Sequence, residues 1–265
     1  MKSSSTLQKI IFLLLVLYIQ QSFAETKNKT YQGLTWIRYN QSVKLPKNFV
    51  WNTEIENRFF IAKKAKQHQF TFRIVFLKQL PKKWNIGLGF SAWSLANNDE
   101  LHPTKLMIPE WRPHLEISHQ NKITDRFTVS QRIKAEYRFI KNTNKAFTET
   151  IDGYTNSFRF RFQLAVNYTV YKKDEKSLQL IAFDEIMLNA GKSIVRNIFD
   201  QNRFGVSARY NFNNKIGMEL GYINWFQQRP SGIDFYNRQI LRYTLHTNFE
   251  IKKKSNPKKV ETNKP

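Results

Sequence analysis

The sequence predicts an all-β protein, an antiparallel transmembrane β-barrel, and three observations carry that prediction. Period-two alternation runs through nearly the whole chain, the connections alternate between short and long, and an export-type leader precedes the first strand. The alternation is plainest at Asn156 to Val170, where Phe158, Phe160, Phe162, Leu164, Val166, Tyr168 and Val170 share one face while Ser157, Arg159, Arg161, Gln163, Asn167 and Thr169 share the other. A helix would scatter those arginines into the apolar stripe. In Val50 to Ala62, Trp51, Ile55 and Phe59 likewise oppose Glu54, Glu56 and Arg58.

Lys2 and Lys9 precede the apolar run Ile10 to Ile19, and Ser22-Phe23-Ala24 has the small-x-small form of a processing site. Residues 1–24 therefore read as a signal peptide, since a run of about ten residues is half of what a spanning helix needs. Residues 25–251 form the predicted barrel and 252–265 a disordered basic tail, KKKSNPKKVETNKP. The roughly 240 residues after the leader fit one large β-domain. Cysteine is absent, so disulfides and thiol chemistry are excluded and closure of the sheet must supply stability. The net charge is +23. With an export signal, the available polyanions are lipid head groups and lipopolysaccharide phosphates, and nucleic acid is not an expected partner.

Breaking the alternating runs at Pro, Gly, Asn and charge clusters gives eleven candidate strands, at 34–45, 49–62, 69–79, 83–95, 108–120, 126–140, 155–171, 177–188, 200–213, 216–227 and 237–251. Short joins fall near 46–47, 81–83, 121–124, 172–176 and 213–214; longer ones fall near 96–107, 141–154, 189–199 and 228–236. Short turns belong to the periplasmic end of an outer-membrane barrel and long loops to the outside. Eleven is an odd number, and it places the two ends of the chain on opposite sides. Either a further crossing lies within Glu25 to Gly33, or two of the eleven runs are one strand, or the N-terminus threads the lumen; the expectation is twelve strands, with ten as the alternative. In 177–188, Phe183 and Asp184 break the pattern, which predicts a bulge or register change there.

Trp36 in Leu34-Thr-Trp, Glu54-Ile-Glu56, Trp111-Arg-Pro-His-Leu-Glu116, Gln131-Arg-Ile-Lys-Ala-Glu-Tyr-Arg-Phe139, Phe158-Arg-Phe-Arg161 and Gln201-Asn-Arg203 together resemble the bacterial family called domain of unknown function 2490. The resemblance covers most of the chain after the leader. It implies an outer-membrane β-barrel without assigned activity and transfers no catalytic or binding residue.

The inward face is predicted to hold a charge network of Glu54, Glu56, Arg58, Arg73, Glu110, Arg112, His114, Glu116, Arg132, Glu136, Arg138, Arg159, Arg161, Glu185, Arg203, Arg209, Glu219, Arg238 and Arg242. Unpaired charges in a narrow interior cost several kcal/mol each, so Arg–Glu ladders between adjacent strands are expected. The same arginines would favour anions if the lumen conducts. Trp51, Phe76, Trp84, Tyr137, Tyr168, Tyr210 and Phe249 are assigned to the lipid-facing side.

No catalytic residue, metal ligand or cofactor is expected. His114 between Arg112 and Glu116 is a fragment of an acid–base arrangement, but no G-x-S-x-G elbow accompanies it. The function read from the sequence is an outer-membrane barrel with a charge-filled lumen, structural or a narrow anion-preferring channel. Its expected partners are membrane lipid, lipopolysaccharide and the outer-membrane assembly machinery, which would read the polar-in, apolar-out final strand. A lipid-modifying barrel enzyme and a soluble periplasmic β-barrel binding protein are the alternatives.

Overall fold

The computed structural model describes residues 28–61, 66–192, 194 and 196–251. The predicted leader at 1–24 and the basic tail at 252–265 lie outside them.

Eleven strands follow one another up and down the chain: β1 (Lys29–Leu45), β2 (Phe49–Phe60), β3 (Gln67–Gln79), β4 (Trp84–Leu95), β5 (Ile108–Lys122), β6 (Phe127–Thr143), β7 (Thr150–Lys173), β8 (Lys176–Ala190), β9 (Phe199–Asn211), β10 (Ile216–Gln228) and β11 (Phe235–Glu250). Each pairs antiparallel with its sequence neighbours, and β1 pairs with β11 to close the barrel. Closure leaves no strand edge exposed.

The expected counts of twelve and ten are both corrected. Residues 29–33 are the beginning of β1 itself rather than a separate crossing. With an odd number of alternating strands the first and last run the same way, so the seam is parallel, in register from Lys29 with Phe235 to Lys44 with Glu250. Side chains reinforce the seam: Tyr39 Oη lies 2.9 Å from Thr247 Oγ1, and Arg238 Nε donates to Gln32 Oε1 at 2.7 Å. The chain thus enters at the long-loop end and leaves β11 at the short-turn end.

The connection between β6 and β7 is also shorter than expected. β6 continues to Thr143 and β7 begins at Thr150, so most of the predicted 141–154 loop is a hairpin. Residues 150–156 are exposed on both faces, which places that hairpin beyond the barrel wall.

The two faces of the wall sort as the alternation predicts. Among the described residues, 44 large apolar side chains are exposed against 14 apolar residues buried, the reverse of a soluble barrel. Trp51, Ile55, Phe76, Trp84, Tyr168, Tyr222 and Tyr243 all point outward.

One inner-wall row is apolar. Phe60, Leu34, Ile240, Ile223, Gly205 and Phe183 are successive register partners across β2, β1, β11, β10, β9 and β8. This row accounts for the disturbed pattern in β8. Phe183 turns inward and packs on that cluster, while Asp184 is exposed on the outer wall and accepts from Asn202 Nδ2 at 2.8 Å. The irregularities flanking β8 lie instead near its ends, at Thr169/Tyr171 and Met187/Leu188. Room for the Phe183 ring comes from Gly205, where a Cβ would sit 2.4 Å from the ring edge.

Candidate functional site: the lumen

Every residue of the predicted charge network lies on a barrel strand, and the network's glutamates are buried or half-buried there. Pairing between neighbouring strands organises the set. On β5 and β6, Glu110 takes both Arg112 Nε and Arg138 Nε at 2.6 Å, and Lys134 Nζ meets Glu116 at 2.9 Å. On β6, β7 and β8, Glu136 binds Arg159 at 2.6 Å and Arg161 at 2.9 Å, while Glu185 binds Arg161 at 2.7 Å and Arg132 at 2.9 Å. On β9, β10 and β11, Glu219 holds Arg209 at 2.6 Å and Arg242 at 2.8 Å. Glu54 binds Arg73 at 2.9 Å and Glu56 binds Arg58 at 2.5 Å.

Apart from the Lys134 ammonium on Glu116, these contacts are to planar guanidinium groups, and Arg112 on Glu110 and Arg161 on Glu185 each use two nitrogens, the geometry in which arginine gives the strongest charge-assisted bonds. They form because period two places these charges on one face, where arginine meets glutamate two residues along its own strand, as in Glu110–Arg112 and Glu56–Arg58, or on a nearby strand, as in Glu136–Arg159.

Four participants were not in the predicted set. Arg38 closes on Glu56 at 2.5 Å, Lys134 on Glu116, Asp200 on Arg159 at 3.0 Å, and His246 Nε2 lies 3.1 Å from Glu219. Arg38, Lys134 and His246 share the alternation phase of their charged neighbours, a signal the sequence carries.

Tryptophan supplies the second element of the lumen. Trp36, Trp93 and Trp225 are buried on the inner wall. The Arg112 guanidinium lies 3.8 Å from the Trp93 ring, Arg58 lies 4.9 Å from Trp93 and 3.8 Å from Trp36, and Trp36 meets Trp225 edge-on at 5.8 Å. Arg203 and Arg238 then cover Trp225 at 4.6 and 4.5 Å. This Arg–Trp layer runs from β5 through β4, β2 and β1 to β9, β10 and β11. Cation–π contacts of this kind gain strength where water is excluded. These side chains are closed to bulk solvent: Glu56, His68, Glu110 and Arg238 have 0% exposure and Arg58 has 1%.

Arg203 and Arg238 differ from the rest because neither forms an ion pair with a described carboxylate. Arg238 donates to the amides of Gln32, Gln227 and Asn98, and Arg203 donates to Gln201 at 3.0 Å. Asn98 and Gln227 also line a cavity of about 180 Å³ at the long-loop mouth, with Gln228, Arg229, Asp200 and Tyr236.

His114, the one candidate base, faces inward with Nδ1 3.3 Å from the Arg112 carbonyl oxygen. Its Nε2 sits in the space left by Gly89, where a Cβ would come within 2.3 Å. Neither nitrogen meets a hydroxyl or carboxylate partner among the described residues.

The solved structure of the NanC porin is similar to this chain at a TM-score of 0.43 and 9% identity, covering 76% of this chain and 93% of the porin. A search of the curated proteins finds no match. Over residues 33–237 the sequence matches the family model described as protein of unknown function DUF2490, and the chain belongs to that family.

Proposed function

We propose that this protein is an outer-membrane β-barrel whose lumen is sealed by its own side chains, so that its role is structural rather than that of an open pore. The observation carrying this reading is the Arg–Trp layer at Arg58, Trp36, Trp93 and Trp225, whose members have at most 5% exposure. The inverted wall supports the membrane environment: exposed aliphatic and aromatic side chains outside, ion pairs inside, and connections that alternate short and long. Lipid would surround the wall, lipopolysaccharide would meet its long-loop end, and the assembly machinery would read β11. No catalytic group, cofactor or metal enters this reading.

Fractionation combined with gel migration tests it. The protein is expected in the outer-membrane fraction, with an unheated detergent-solubilised form that migrates apart from the boiled form. Recovery from the soluble periplasm with a single migration would overturn it.

A second reading, a narrow anion-preferring passage, is favoured by one feature of the layer. Its orphaned groups are donors: the indole N–H groups of Trp36, Trp93 and Trp225 and the Nε of Arg203 find no partner among the described residues. Together with the unpaired Arg203 and Arg238, they would suit an anion and no cation. Passage would require the layer to part.

A further inference from the structure

All five short turns carry lysine. Lys47 lies in the β1–β2 turn, Lys82 and Lys83 in the β3–β4 turn, and Lys122, Lys173 and Lys215 at the other three, all of them exposed. One is already committed: Lys122 Nζ lies 2.6 Å from Asp125, and that hydrogen bond holds the Asp125 carboxyl below its usual range.

Two of these turns are built alike. Leu45-Pro46-Lys47-Asn48-Phe49 and Leu80-Pro81-Lys82-Lys83-Trp84 each place two successive residues after proline in the left-handed region, with φ of 59° and 62° in the first and 54° and 62° in the second. Glycine or asparagine adopts that backbone with least strain, and a lysine side chain is disfavoured there. Three lysines occupy the four positions, so positive charge is kept where the backbone disfavours it. Strain held at a defined place is an observation from which function is inferred.

The same turns adjoin a hollow of about 420 Å³, lined among others by Asn48, Gln79, Lys83, Trp84, Asn85 and Gln120. Its chemistry is amide and ammonium, and the exposed Trp84 ring stands at its edge. A phosphate-bearing head group needs those donors and that charge, and an aromatic ring at the level of the head groups is where membrane barrels place tryptophan.

We infer that the short-turn rim, centred on Lys47, Lys82 and Lys83, binds the phosphate head groups of anionic glycerophospholipids in the membrane leaflet beside it. This rests on the outer-membrane reading. Each lysine near such a surface contributes about 1 kcal/mol, a fivefold change in affinity.

The test reconstitutes the full chain in vesicles of phosphatidylcholine mixed with phosphatidylglycerol, extracts it in mild detergent, and measures both lipids retained per protein by mass spectrometry. Enrichment of phosphatidylglycerol is expected, falling about fivefold or more in a Lys82→Gln/Lys83→Gln variant and in Lys47→Gln, and falling in ~0.5 M salt, where screening is strong. Equal retention of the two lipids by the wild type, or enrichment unchanged in both variants, would overturn the inference. Both variants keep the strands intact, so heat-modifiable migration should persist. If migration persists while enrichment is absent, the head-group site fails and the barrel reading stands. Sedimentation with peptidoglycan in place of lipid enrichment would assign the rim to a different polymer and overturn the lipid assignment.

Discussion

Replacing Glu110 by alanine is expected to destabilise the barrel by about 3–5 kcal/mol, the range for removing one partner from a buried ion pair. Glu110 has 0% exposure and is the carboxylate partner of both Arg112 and Arg138. Its loss leaves two guanidinium groups without an anion in a space closed to water. Glu54→Ala is the internal comparison: Glu54 is half-buried, its loss leaves one half-buried guanidinium, Arg73, without its carboxylate, and Arg38 keeps Glu56 at 2.5 Å. Urea unfolding of the folded protein in detergent micelles should rank Glu110→Ala well below Glu54→Ala. Equal losses would show that the Glu110 cluster is hydrated and that the lumen is not dry.

Leu164→Arg should have the second-largest effect, and its sign separates the membrane barrel from a soluble one. Leu164 is 50% exposed near the middle of β7, flanked on its own strand face by the exposed Phe162 and the half-buried Val166. On a surface facing water, an exposed leucine replaced by arginine changes stability by no more than about 0.5 kcal/mol. On a wall facing hydrocarbon, the same change near the midplane costs about 2–4 kcal/mol. Unfolding titrations in phospholipid vesicles should show the larger loss. A neutral result would place this face in water and reverse the inside-out assignment.

The parts of this fold that the sequence discloses are those fixed by parity. Arg159 and Arg161 sit between Phe158, Phe160 and Phe162, and that spacing admits only one sorting in a strand, so the wall and most of the ion-pair network are readable. Strand number is not fixed by parity. Residues 29–33, KTYQG, have no clear alternation, and a parallel seam between β1 and β11 depends on how the ends meet after the other strands are in place.

The tryptophan layer was readable in part. Trp36 shares the phase of Arg38, and Trp225 that of Glu219 and Arg238's partner row, yet aromatic character suggests lipid contact and masks the phase. Phe183 and Asp184 show the opposite limit. Their inversion is permitted by Gly205 on the neighbouring strand, and a pairing between strands is invisible along either strand alone. Asp200 is buried beside Gln201 at the irregular start of β9, where phase gives no guide.

The sealed lumen is tested most directly by recording current across a planar bilayer containing the purified protein, with insertion confirmed by heat-modifiable migration of the recovered sample. The Arg–Trp layer predicts a bilayer that stays without steady conductance steps at low and high salt. Stable ohmic steps that scale with salt concentration would contradict it.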